Sequence, residues 1–164
     1  MIPIARQQIK GLPLIEPYLK LTGHKIPKEI VLSIWSSSVL ACDRAANPVE
    51  ALFHIQFIHQ EWKLDMPPQE ATLASCRPLL SGAGSSYLAA CVECHSHGAM
   101  PAFFSSDDNL DEVGLRIYAV LGRIFSEKPE IAVRIGIYGH YMRIPANWVF
   151  ELPIFISDTE EENG

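Results

Sequence analysis

Apolar and polar positions follow two different periods along this chain. From Pro27, the segment "PKEIVLSIWSSSVLACDRA" places Ile30, Val31, Ile34, Trp35 and Ser38 on one stripe at the helical repeat. Proline in the first turn predicts a helix start there. "AANPVE" predicts its stop at Pro48, because a residue before proline avoids helical geometry. In "EALFHIQFIHQEW" (Glu50 to Trp62) the period changes. Leu52, His54, Gln56 and Ile58 alternate with Phe53, Ile55 and Phe57, as in a strand with one apolar face. "DMPPQEA" reads as a loop, "SGAGSS" (Ser81 to Ser86) as a turn, and "YLAACVECHSH" as an apolar strand of period 2. "NLDEVGLRIYAVLGRIF" fits either an amphipathic helix or a helix passing into a strand. "EIAVRIGIYGHYMRIPANWVFE" predicts a hairpin with Val133, Ile135 and Ile137 on one face, where Gly136 and Gly139 permit a tight reversal or close packing. The first 25 residues mix Pro, Gly and short apolar runs, as in extended segments wrapping a core. Strands and helices mixed in this way predict an α/β or α+β domain, a mixed β-sheet flanked by helices.

Composition narrows the class. The chain has 164 residues, enough for a single domain with a real core. Hydrophobic residues make up 48% and charged residues 20%, a globular balance. The net charge of -6 argues against a module that binds nucleic acid directly, whose footprint would be a basic face. No apolar run reaches the roughly 18–20 residues that span a bilayer, so no membrane association is expected. The N-terminus lacks a basic region followed by an unbroken apolar core, so no signal peptide is expected. The four cysteines then read as reduced thiols in a cytoplasmic protein. "SDTEEENG" (Ser157 to Gly164) holds four acidic residues and is expected as a flexible, solvated tail, leaving residues 1–156 as the domain.

Chemistry concentrates in "CVECHSHGAMPAFFSSDD", Cys91 to Asp108. On a strand, His95 and His97 face the same side about 7 Å apart, within reach of one Zn²⁺. Asp108, in the loop that follows, can complete a His₂-carboxylate set whose fourth position is left for water, the mark of a catalytic zinc. Such a site needs a carboxylate that is not a ligand to take and return a proton. It also benefits from a hydroxyl beside the developing oxyanion, and Ser105 is placed for that. The bland alternative is a polar strand end with Asp108 capping the next helix. A zinc knuckle of Cys91 and Cys94 is disfavoured, because those positions face opposite sides and no second pair follows at a suitable spacing. A cytidine-deaminase-type site would need H-x-E before P-C-x-x-C, and that order is absent. Gly82 and Gly84 lack the Lys-Ser/Thr of a phosphate loop. His54, His59 and His140 read as surface or core histidines, and Asp107 as a supporting or plain loop residue.

His95-x-His97, seven residues, Ser105, two residues and Asp108 match the H-x-H-x7-S-x2-D signature, and the chain resembles the JAMM/MPN metalloprotease family in its bacterial JAB-type form. The resemblance covers roughly residues 27–150 and implies a single JAMM/MPN-like (cytidine-deaminase-like) domain. It implies a zinc metallopeptidase that cleaves a peptide or isopeptide bond, with a ubiquitin-like or other protein as substrate. His95, His97 and Asp108 would hold the metal, Glu50 in "NPVEALFHI" would be the general base and acid, and Ser105 would support the oxyanion. Glu61 and Glu93 are the rival carboxylates. "AFFSSDD", "GLRIYAVLGRI" and "RIGIYGHY" are similar to a bacterial subset carried in plasmid-borne PRTRC cassettes, which implies a ThiF/E1-like partner. A non-catalytic MPN-type scaffold or binding module in such a cassette is the alternative. Two positions depart from the family pattern. Gly98 stands where many members have proline, and the glycine-rich run after the catalytic Glu is replaced by "ALFHIQF".

Overall fold

The computed structural model describes residues 20, 21, 23–79 and 82–160. In chain order the elements are α1 (Lys28–Leu40), β1 (Leu52–Ile58), β2 (Glu61–Asp65), β3 (Gln69–Ala71), β4 (Cys76–Pro78), α2 (Ser86–Ala89), β5 (Val92–Ser96), α3 (Ser106–Asp111), β6 (Arg116–Gly122), β7 (Glu130–Ile137), β8 (His140–Ile144) and β9 (Ser157–Asp158). The main sheet runs β2-β1-β5-β6-β7-β8, with β9 beside β7. Pairing is antiparallel except for β5 with β6 and β7 with β9, so the sheet is mixed and the domain is α+β.

The two faces of the sheet do different work. Phe53, Ile55, Val92, Cys94, Ile117, Ala119, Leu121, Ile131, Val133 and Ile135 point to one side and form the main core with Val31 and Ile34 of α1. This is the stripe expected of the helix, with Ile30 and Trp35 packed at its margin. The opposite face carries Leu52, His54, Glu93, His95, Val120 and Ala132, because alternate strand residues point to opposite faces. Over it lies a small second cluster in which Ala102 and Phe104 cover Val120 and Ala132. β1 is therefore buried on both faces through its first half rather than on one.

Several expectations change in detail. α1 ends at Leu40, not at Pro48. Asp43 captures the chain first: its carboxylate accepts from the amides of Ala45 at 2.8 Å and Asn47 at 2.9 Å, a turn that competes with helix. The segment Glu50 to Trp62 reverses at His59 and Gln60, both with positive φ, and turns back as β2. Part of the "DMPPQEA" loop is β3, paired with β4. The expected strand "YLAACVECHSH" is helical at Ser86–Ala89, and only Val92–Ser96 is strand. "NLDEVGLRIYAVLGRIF" passes from helix to strand, the second of its two readings. The hairpin of β7 and β8 forms as expected, reversing at Tyr138 and Gly139 with positive φ. Ser157 and Asp158, placed in the acidic tail by sequence, instead form β9. The buried Asp158 carboxylate accepts the Ala146 amide at 2.6 Å. Residues 161–164, and the extended N-terminal segments expected over residues 1–19, lie outside the described residues. No helix among the described residues is long and apolar enough to cross a membrane.

Candidate metal centre

β5 is held between β1 and β6, and this fixes where its last residues point. Leu52 stands opposite His95 on β1, and Val120 stands beside it on β6. His97 follows the strand, and its amide donates to Leu121 O at 2.9 Å, extending the ladder by one bond. The two imidazoles meet with Nε2 atoms 3.1 Å apart. Asp108 Oδ1 lies 3.4 Å from His95 Nε2. One ligand atom from each of the three lies within 4.8 Å of the others. For bonds of about 2.0–2.1 Å at tetrahedral angles, neighbouring donors stand about 3.3 Å apart, so the set fits a zinc-sized ion.

The loop that brings Asp108 to the histidines is shaped by local contacts. Gly98 has φ of 56°, a left-handed conformation. The chain then crosses β6 at Gly122, where an added Cβ would stand 2.1 Å from the Ala102 amide nitrogen and 2.3 Å from the Pro101 carbonyl carbon. Only a glycine lets two backbones approach so closely. Ser105 caps α3. Its hydroxyl accepts from the Asp108 amide at 3.1 Å, and Asp108 Oδ2 accepts from the Ser105 amide at 2.6 Å, a reciprocal capping box. Asp108 is thus both the helix cap of the bland reading and a member of the donor set, with a different oxygen for each task. Asp107 is exposed at the rim.

Burial sets the protonation states. It pushes His95 down to about 4 against the opposing pull of Asp108, and it lowers His97 as well. Both rings are therefore neutral at ordinary pH and keep a lone pair for a metal. His97 Nδ1 lies 3.3 Å from Pro101 O, a bond that leaves Nε2 free to ligate. Burial also acts to raise Asp108, but His95 and the Ser105 amide and hydroxyl outweigh it and hold the carboxyl below its ordinary value.

Glu50 lies in the same cleft of about 260 Å³ as His95, His97, Ser105 and Asp108. It sits just before β1, not on it, and its amide donates to Thr72 O at 2.8 Å. Its side chain is only 4% exposed. Burial, then repulsion from Asp108, raise it to about 8, while a hydrogen bond from Cys76 opposes the rise. Gln69 locks the β3–β4 hairpin here, its amide accepting from Leu52 N at 2.7 Å and donating to Leu52 O at 3.1 Å. Of the rivals, Glu61 is exposed on the edge strand. Glu93 lines the cleft, but Arg116 holds it at 2.6 Å.

The remaining polar residues sort themselves. Cys91 is exposed and Cys94 is buried in the main core, so they form no shared site. His54 is fully buried, with Nδ1 2.8 Å from Ser86 Oγ, whereas His59 and His140 are exposed. Sequence reasoning did not single out Cys76 or Phe103, which line the cleft, or Arg134 behind it. Phe103 stacks edge-on against His97 at 4.7 Å. Arg134 had a readable signal: it is a lone charge inside the apolar run "IAVRIGI". Cys76 had none. A family model for prokaryotic homologs of the JAB domain matches residues 31–136, from the first turns of α1 to the end of β7. No curated protein matches the chain.

Proposed function

The chain belongs to the family of prokaryotic homologs of the JAB domain, and from that premise we propose that it is a zinc-dependent hydrolase of peptide or isopeptide bonds. The observation that carries this reading is one cleft holding both a three-donor set and a buried carboxyl outside it, Glu50. When bound, zinc would lower the pKa of water towards neutrality and polarise a carbonyl. His95 and His97 offer neutral nitrogens, and Asp108 offers the anion. Glu50 then takes the proton from the attacking water and returns it to the departing amine. Burial and Asp108 raise this carboxyl in the metal-free cleft, and the charge of a bound zinc would draw it back down towards the form that accepts a proton from water. The Ser105 oxygen accepts the Asp108 amide, and its proton, which faces the Asp108 carboxylate in the metal-free cleft, would turn to the substrate oxyanion. In this reading the substrate is a ubiquitin-like or other protein, with a ThiF/E1-like protein as partner.

The test is to measure zinc content and cleavage of a linear fusion to a ubiquitin-like protein, for the wild type and Glu50→Gln. Glu50→Gln is expected to keep one zinc per chain and to lose on the order of 100-fold or more in rate. Turnover at the wild-type rate would remove Glu50 from the mechanism. A zinc-loaded wild type that cleaves nothing would make the domain a scaffold.

A further inference from the structure

Arg134 lies in the middle of β7, only 4% exposed, on the same face of the sheet as the metal set. Across the strands Glu93, Tyr118, Arg134 and Arg143 form one row, next to the row of His95, Val120 and Ala132. A guanidinium there is costly unless its donors are satisfied. It finds its partners in the segment that carries Asp108. Nη1 donates to Asn109 Oδ1 at 2.6 Å, and Nε donates to Glu112 Oε2 at 2.8 Å. The rings of Phe104 and Tyr141 lie 4.0 and 3.8 Å from its central carbon. The Tyr141 hydroxyl binds the same segment, reaching Asn109 O at 2.8 Å and Glu112 O at 3.0 Å.

Apart from an exposed pair between Asp111 and Arg77 of β4 at 3.0 Å, which contributes little in solvent, α3 has little else to hold it. It is six residues long and none of them is buried. A helix that short has no stability of its own in water. Its position over the sheet must come from contacts at its ends. At the N-terminal side these are Phe104 and the Ser105 cap, and at the C-terminal side Asn109 and Glu112. Three of those four residues touch Arg134.

We propose that Arg134 is the positioning residue of the metal centre. Its planar fork, stacked on Phe104 and Tyr141, clamps Asn109 and Glu112 and so sets where the Asp108 carboxylate stands relative to His95 and His97. This rests on the metal reading above and adds to it a residue that touches none of the three donors. A lysine would keep the charge but lose the fork and the stacking.

The experiment compares wild type, Arg134→Lys, Tyr141→Phe and Asp108→Ala. Zinc affinity is measured by competition with a chelator, and coordination by the visible spectrum of the cobalt(II)-loaded protein. Arg134→Lys is expected to weaken zinc binding by about 10–100-fold. Its cobalt spectrum should move towards that of Asp108→Ala. Tyr141→Phe keeps the ring and removes only the hydroxyl. It should fold normally and lose a few-fold in affinity, so it decides the matter if Arg134→Lys does not fold. Wild-type affinity and spectrum in the folded variants would overturn the proposal and leave the metal centre standing. A wild type that binds no zinc would overturn both.

Discussion

Glu50 and the two histidines respond to the same burial with opposite signs, because desolvation disfavours whichever form is charged. Glu50 rises from 4.5 to about 8 in the folded chain. Between those values the folded state keeps a proton that the unfolded state has lost, so this group makes the metal-free protein less stable as pH rises. His95 falls from 6.5 to about 4, so over that lower range the unfolded state binds more protons and stability rises with pH. The two trends overlap, and the Glu50 part is isolated by difference. Denaturant midpoints of metal-free wild type and Glu50→Gln should diverge between about pH 5 and about pH 8, the wild type losing ground. The limiting slope from one group is about 1.4 kcal/mol per pH unit. Parallel curves for the two proteins would show that Glu50 titrates as an ordinary carboxylate.

At the scale of elements, α3 decides how well the site is held, and Ser105 has two tasks there. Its hydroxyl caps the helix, and the proposed mechanism asks the same group to face the substrate. Ser105→Ala removes the cap and is expected to cost about 1 kcal/mol. For a chain of this size that corresponds to about 2–4 °C in Tm. Ser105→Thr keeps an oxygen at the same place and should melt near the wild type. If Ser105→Ala and wild type melt together, the hydroxyl contributes nothing as a cap. Which elements were legible follows from how each is encoded. α1 and the β7–β8 hairpin carry their periods over enough residues to be read. β2 was missed because its turn is formed by His59 and Gln60 in left-handed conformations, without the Gly or Asn that usually marks such a reversal. β3 and β4 are three residues each, too short to show any period.

For the whole molecule, the metal set joins parts of the chain that are otherwise independent. β5 and the residue that follows it supply two donors, and α3 supplies the third from above the sheet. A ligand that binds only the folded arrangement stabilises it by mass action. Zinc at about a hundredfold excess over its dissociation constant adds roughly 2.7 kcal/mol, or about 5–10 °C in Tm. Thermal melts with zinc and with a chelator should therefore separate for the wild type and coincide for Asp108→Ala. Wild-type melts that superimpose would count against a metal centre of this kind. The match to prokaryotic JAB homologs spans residues 31–136, so it includes Glu50, all three donors and Arg134 within one folded unit.

The sequence by itself picked out the three residues that could hold a metal, because each half of the set has a local pattern. Period 2 puts His95 and His97 on one side of a strand, and the spacing from Ser105 to Asp108 is that of a helix cap and its third residue. It also gave part of the main core, Val31 and Ile34 from the stripe on α1 and Val133 and Ile135 from the alternation in β7. Tertiary structure alone decided what surrounds the donors. Glu50 reaches them because the register of β1 on β5 sets Leu52 beside His95 and so brings the residue two before it to the end of β5. Arg134 reaches α3 because β7 lies two strands away from β5. The protonation of Glu50, His95 and His97 depends on how much water the assembled cleft excludes. Burial is a sum over residues distant in the chain, and no short stretch of sequence contains it.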